Sequence, residues 1–511
     1  MDTPINSTST PTSSLSVIRL KTWQANGLAT LSGALIPLAL APFDLWPLAI
    51  LGPALLVWLL QGLSGKQALW RSWWSGVGLF GVGASWVWVS IHDFGYAPIW
   101  LATVLTALFV AGLAQVFSLP FYAYGRWFNQ HRWSIPLAFP VIWVLGEWLR
   151  SWLLTGFPWL FIGYSQLDTV LAGWAPVTGV FGLSLVLSLS AGAVVYSALN
   201  RRFLWLALPL LLWITGAALQ TQSWTQPTGQ TVSVGIVQAN IPQEKKWQPD
   251  FLLPTLERYT ELTEPLWQQD WVIWPEAAIP MTYHRALPFL EDMHRRAAET
   301  NTGLITGILY DDRQAAKVYN SINGLGTATG LYHKRRLVPF GEYVPLEDLL
   351  RGTIQFFNLP TSIIYPGPDQ QRGLQIGANR LAPALCYEVV YPDLVASSAH
   401  NTEVLLTISN DAWFGHSLGP IQHMQMARMR ALETGRYMIR GTNNGISAII
   451  NPQGKVEVET EQFVKTTLTG NVQPYRGATP FMNWQSTPVV LLCGLLLALL
   501  GYVSRREKTT K

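Results

Sequence analysis

Charge is scarce in this sequence. Only 13% of its 511 residues are Asp, Glu, Lys or Arg, about half the usual share for a soluble protein. The formal net charge of +4 is small and scattered, so the basic footprint of a nucleic-acid binder is missing. Cysteine is nearly absent, with Cys386 and Cys493 the whole supply. Cys493 lies inside a long apolar segment, so the two are not expected to meet in a disulfide. The eight histidines show no paired ligand spacing, and no metal is expected. No glycine-rich loop follows a strand with the spacing of a phosphate cradle, and no cofactor is expected. There is no internal repeat. The first hydrophobic stretch is too long for a signal peptide and runs straight into a second.

What the chain has in abundance is apolar and aromatic surface. Hydrophobic residues make up 49%, and many of the 25 tryptophans lie near the ends of apolar runs, where a bilayer's aromatic belts sit. Apolar segments run at about 25–42, 45–62, 72–91, 98–125, 134–154, 171–199, 203–220 and 487–504. Each is near or above the roughly 17–25 residues that cross a bilayer. Arg19, Lys21, Lys66, Arg71, Arg126, Arg132, Arg201 and Arg202 fall in alternate connections, and Arg505, Arg506, Lys508 and Lys511 follow the last segment. The short connections between carry almost no basic residue apart from Arg150. This alternation predicts eight spans with both termini inside. Residues 1–23 then read as a disordered inner tail, 24–220 as a membrane domain of about seven helices, 487–504 as a final span and 505–511 as an inner tail. Residues 221–486 fall on the outer face, which makes the membrane itself a partner. In one outer connection, EWLRSWLLTGFPWLFIGYSQ (147–166), Glu147 and Arg150 share a helix face and can pair. Gly156 and Pro158 should break that helix, leaving either an interfacial anchor or a lipid-facing wall beneath the outer domain.

Within 228–475 the texture changes to α/β. TVSVGIVQAN (231–240), DWVIWPE (270–276), TGLITGILY (302–310), 319–330, 380–386, EVLLTISND (403–411) and ISAIINP (446–452) read as strands. Helical patterns at 251–268, 285–300 and 420–435 alternate with them, which indicates a layered α/β domain.

Three reactive side chains stand at strand ends or just beyond them. Glu276 follows VIWP, Lys334 sits in LYHKRRLVPFGEYVP, and Cys386 ends LAPALC. Each alone has a plain reading: Cys386 as core filler, Glu276 as a neighbour of a helix cap, Lys334 as part of a solvated basic run. Brought together, they have complementary chemistry. A cysteine is a nucleophile as its thiolate and needs a base or a positive field. Glu276 is a candidate base, then acid for the leaving group, and Lys334 supplies positive charge for a thiolate and an oxyanion. Glu388, beside a strand-end thiol, is hard to explain as packing.

WPE at 274–276, HKRRLVPFGEYVP at 333–345, LCYE at 385–388 and SNDAWFG at 409–415 resemble the nitrilase, or carbon–nitrogen hydrolase, superfamily. With the multi-span first half, the final span and EWLR…TGFPW, the whole chain is similar to the bacterial apolipoprotein N-acyltransferase family. The resemblance implies a nitrilase-like α-β-β-α sandwich inserted between transmembrane helices seven and eight. It implies Glu276 as general base, Lys334 as oxyanion partner and Cys386 as nucleophile. Glu342, Tyr387 and Glu388 match supporting residues, and Trp247, Asn320, Trp413 and Phe414 match, more loosely, residues that meet substrate. The implied donor is a membrane phospholipid, phosphatidylethanolamine, and the acceptor is the α-amino group of a diacylglyceryl-modified cysteine on an apolipoprotein. The implied location is the bacterial inner membrane, with the sandwich facing the periplasm. Residues 346–360 read as an apolar lid or as a core helix. The rival readings are a membrane-anchored amidase using water as acceptor, for which one anchor would suffice, and a transporter, for which the spans hold few charges.

Overall fold

The computed structural model describes residues 20–339, 341–343, 364–371 and 373–509. The lid expected at 346–360 and most of the tail expected at 1–23 lie outside these. Each apolar segment forms helix, but the lengths are unequal. Ile99–Phe128, Arg132–Thr155, Val170–Asn200 and Thr487–Glu507 are long and apolar enough to cross a membrane. Gly65–Gly83 and Trp86–Phe94 make a fifth if counted together across their 56° bend. Thr22–Leu38, Leu48–Leu59 and Phe203–Leu219 are shorter. The first two stop short of the expected 25–42 and 45–62 because Pro42 and Pro47 sit in the turn between them, where neither ring suits a helix interior.

Between helix Ala207–Leu219 and helix Thr487–Thr509 the chain forms two stacked sheets. One orders strands Thr466–Val472, Val232–Gln238, Trp271–Ile273, Gly303–Asp312, Lys317–Gly326 and Leu331–His333. The other runs Val456–Glu459, Ala448–Ile450, Met438–Thr442, Val404–Ser409, Asn379–Leu385, Leu374–Ile376 and Ala328–Thr329. Central strands are parallel and buried on both faces, which is why most of their sequences read as largely apolar runs without strict alternation. Val234 and Ile236 face the other sheet beside Leu381, Leu385 and Ile408. Val237 points the opposite way, as the two-residue period of a strand requires. Helix Tyr283–Glu299 covers the outside of the first sheet through Ala286, Leu290, Met293 and Ala297. That spacing places all four on one stripe.

Helices Pro392–Ala399 and Gly419–Thr434 cover the second sheet, and they face the membrane helices. Ile142, Leu183 and Leu187 share one apolar core with Ala382, Val395, Met424 and Ala427. Polar bonds pin the same interface. Glu433 accepts from Val180 N–H at 2.9 Å, just after Gly179, whose φ of 64° kinks its helix. Glu433 is also paired with Arg430 at 3.0 Å. The sandwich is therefore docked on the membrane helices through a helical layer of its own.

In the 147–166 connection the helix ends at Trp152, ahead of Gly156 and Pro158 as expected, but no ion pair joins Glu147 to Arg150 among the described residues. Glu147 and Arg150 each bond the loop beyond them. Glu147 Oε1 accepts from Ile162 N–H at 3.0 Å, and Arg150 Nη1 donates to the Phe157 carbonyl at 3.0 Å and to that of Trp159. Residues 158–162 are buried and wedge between the two domains, while Trp152 and Leu154 before them stay exposed. Buried loop carbonyls and N–H groups need partners, and these two charged side chains supply them.

Candidate active site

The site is built where strands of both sheets end. Glu276 leaves Trp271–Ile273 after Trp274 and Pro275 and is 7% exposed. A Cβ on the neighbouring Gly307 would lie 2.6 Å from Pro275 O and 2.7 Å from Glu276 Cα, so only glycine lets this loop lie against its strand. Lys334 follows Leu331–His333 and is 1% exposed. Its Nζ lies 2.9 Å from Glu342 Oε2 and 3.4 Å from Glu276 Oε1. Burial opposes its charge, but Glu342 and then Glu276 hold the ammonium protonated and raise its pKa. One buried cation between a buried and a partly buried carboxylate is a stable arrangement only while all three remain.

Asn320 is central to this cluster. Its Nδ2 donates to Glu276 Oε1 and to Glu342 Oε1, each at 2.8 Å. The amide thus bridges the two carboxylates and fixes which oxygens face Lys334. Glu276 Oε2 is fixed separately, by the Asn410 N–H at 2.8 Å. Glu342 Oε2 accepts from Val338 N–H at 2.8 Å.

Cys386 stands at the end of Asn379–Leu385 in a left-handed turn, φ 53°. Burial and then Glu276 push its thiol up, against the pull of Lys334. The thiol is therefore neutral at rest, in the field of both groups. Glu388 ties this turn to the lysine loop. It accepts from Leu385 N–H at 2.7 Å, Arg335 N–H at 2.6 Å, Arg336 N–H at 3.2 Å and the Tyr332 hydroxyl at 3.0 Å. Tyr387 turns away, its hydroxyl donating to the Gly156 carbonyl of the wedge at 3.2 Å.

The aromatic candidates lie outside the polar cluster. Trp247 is 48% exposed on the turn after Ile241. Trp413 and Phe414 occupy the turn Asp411–Phe414 and meet the membrane domain. Trp413 packs edge-on against Phe94 at 5.9 Å, and Phe414 against Trp86 at 4.8 Å. Among the described residues no group of three His, Cys, Asp or Glu is placed to hold a metal ion.

One residue touching Glu276 carries no signal in the sequence. Lys246 is 2% exposed and donates from Nζ to the Glu276 carbonyl at 3.1 Å. Burial, opposed by Glu276 and Cys386, lowers its pKa to about 8. In the string EKKWQ nothing distinguishes it from the solvated Lys245 beside it.

A cysteine in a left-handed turn, a buried carboxylate and a buried ammonium at the ends of a double sheet define a carbon–nitrogen hydrolase domain, here on a helical apolar base. The carbon–nitrogen hydrolase family model matches residues 233–481, and the model for the apolipoprotein N-acyltransferase N-terminal domain matches 32–193. Apolipoprotein N-acyltransferase of Pseudomonas aeruginosa is 47% identical over 500 residues, 95% of this chain and 98% of that protein. The Coxiella burnetii protein of the same name is 41% identical over 92% of this chain and 99% of its own. Among solved structures, Saccharomyces cerevisiae Nit3, of the nitrilase superfamily, is 17% identical and aligns with 49% of this chain and 93% of its own, at a TM-score of 0.39. The chain belongs to the apolipoprotein N-acyltransferase family.

Proposed function

We propose that this protein is an N-acyltransferase that carries a fatty acyl chain on Cys386. The donor is a membrane phospholipid, phosphatidylethanolamine, and the acceptor is the α-amino group of the diacylglyceryl-cysteine of an apolipoprotein. The observation that carries this reading is the meeting of Glu276, Lys334 and Glu342 with the Cys386 turn, on a sandwich docked against membrane helices. The names of the relatives point to the same activity.

The chemistry follows from the charges. The resting thiol is neutral, so it needs a base as it attacks. Glu276 takes the Sγ proton while Sγ bonds to the ester carbonyl carbon of the phospholipid. The oxyanion that forms meets the Lys334 ammonium, which the two carboxylates keep charged. As the intermediate collapses, the ester C–O bond breaks and Glu276 returns the proton to the leaving alcohol, a lysophospholipid. In the second half the acceptor amine attacks the thioester. The C–N bond forms, the C–S bond breaks, and Glu276 moves the amine proton to the departing thiolate. Thiolate leaves more readily than the amide nitrogen, which drives transfer forward. Glu342, Glu388 and Asn320 position the triad, Tyr387 anchors its turn to the wedge, and Trp247, Trp413 and Phe414 offer apolar surface to acyl chains.

We assign eight spans with both ends cytoplasmic, residues 228–475 as the periplasmic catalytic domain, and that domain's place between spans seven and eight. The basic residues in alternate connections support this. The test is transfer. With phosphatidylethanolamine vesicles the protein should gain the mass of one acyl chain, and a diacylglyceryl-cysteine peptide should remove it and become acylated. Release as free fatty acid, with the peptide unmodified, would point to the amidase-type reading with water as acceptor.

A further inference from the structure

Cys386 is held in a conformation that costs free energy for any residue with a side chain, so its surroundings must over-determine it. Glu388 fixes the N–H of Leu385. The Cys386 carbonyl is fixed from the other side, by His423 Nε2 at 3.2 Å. His423 Nδ1 lies 3.1 Å from Arg440 Nη2 and 3.1 Å from Asp411 Oδ1. Arg440 Nη2 also donates to Asp411 Oδ2 at 2.6 Å. All three side chains are fully buried.

The protonation of His423 follows from its neighbours. Burial and then Arg440 lower its pKa against the pull of Asp411, so the ring is neutral with one N–H. A guanidinium only donates, so Arg440 needs a lone pair at Nδ1. A carbonyl only accepts, so Cys386 needs an N–H at Nε2. One tautomer meets both demands. The other serves Asp411 alone, and sets N–H against N–H at Arg440 and a lone pair against the carbonyl. Asp411 has other donors, Arg440 and the Ser409 hydroxyl. Despite burial, Arg440 and the Ser409 hydroxyl hold it ionised.

We infer that Arg440, Asp411 and His423 form a positioning relay, which locks the Cys386 turn by fixing His423 as Nε2–H donor to the Cys386 carbonyl. The inference rests on Cys386 being the acyl carrier. The relay extends into the membrane domain. Trp159 of the wedge stacks on His423 at 5.8 Å and 25°, and its Nε1 donates to Gln422 at 2.6 Å. The same wedge receives the Tyr387 hydroxyl. The nucleophile's turn is thus held from the membrane side at two points, one of them through the relay.

The test compares His423→Gln with His423→Asn. The shorter amide places its polar atoms at the depth of Nδ1 and the longer at the depth of Nε2, so only the longer reaches the Cys386 carbonyl. Misplacing a reacting atom by about 1 Å can cost on the order of 100-fold, so His423→Asn should form acyl-enzyme roughly 10- to 100-fold more slowly. Donor KM should be unchanged, and His423→Gln should stay within severalfold of wild type. Equal rates in the two variants, fast or slow, overturn the relay. If His423→Asn does not fold, Arg440→Lys replaces it: an ammonium lacks the Nε–H that Arg440 gives to the Ile446 carbonyl at 3.1 Å and the rigid plane that aims Nη2 at both acceptors, so acylation must slow likewise, and an unchanged rate overturns the inference. Cys386→Ala separates the two questions. An acyl mass surviving that substitution refutes the thioester reading, whereas normal acylation in His423→Asn refutes only the relay.

Discussion

Glu388→Gln is the substitution whose cost can be worked most directly from the geometry. The carboxylate serves four donor groups, the N–H of Leu385, Arg335 and Arg336 and the Tyr332 hydroxyl. An amide of the same shape offers one acceptor oxygen. With that oxygen toward Arg335, the NH2 faces the Leu385 N–H across what is now a 2.7 Å bond; flipped, it faces Arg335 across 2.6 Å. Either way a buried N–H loses its acceptor, at roughly 1–3 kcal/mol, and the surviving bonds lose their charge assistance. Together this is about 3–5 kcal/mol. These bonds are what align the Lys334 loop with the Cys386 turn. If half of the loss appears in the transition state, acylation slows roughly 10- to 100-fold, at about 1.4 kcal/mol per tenfold. The assay is the rate at which the acyl mass appears on phosphatidylethanolamine vesicles, with a thermal melt of the same sample. A wild-type acylation rate and an unchanged melt would refute the reasoning.

Other outcomes follow from the same structure. Because burial and Glu276 hold the Cys386 thiol well above its ordinary value of 9.0, iodoacetamide labelling should be slow at neutral pH and still rising past pH 9. A plateau below pH 8 would show a thiolate at rest. Gly307→Ala forces a methyl onto the backbone at Glu276, an overpacking of about 1–3 kcal/mol. Acyl-enzyme formation should fall at least tenfold, and full activity would mean that the Glu276 loop is not held there. A reporter fused near residue 230 should be found outside the cytosol and one after Lys511 inside; both on one side would remove the eight-span topology.

The two-sided burial of the central strands made them legible in sequence, since Val232–Gln238 and Val404–Ser409 are mostly apolar and carry no charge. Met438–Thr442 was not legible. Its sequence, MIRGT, puts an arginine in the middle of a fully buried strand, and Asp411, His423 and the Ile446 carbonyl make that tolerable. Thr466–Val472 was hidden differently, as a half-exposed edge of threonine, glycine and asparagine that lacks apolar alternation. At the site, Glu276, Lys334 and Cys386 were nameable because their motifs resemble a family. Asn320, only loosely matched, proves to bridge the two carboxylates. Lys246, His423 and Arg440 were invisible for one reason: each acts through a partner far along the chain, and no local pattern encodes that partner. The shared face of Glu147 and Arg150 was legible, but their partners lie in the loop that the helix break creates.

The central claim is that Cys386 carries the acyl chain. Peptide mapping after exposure to phosphatidylethanolamine tests it most directly, with wild type beside Cys386→Ala. The account predicts one acyl chain on the peptide containing Cys386, labile to hydroxylamine as a thioester is, and none in the variant. An acyl mass on any other residue, or one that survives in Cys386→Ala, would contradict it.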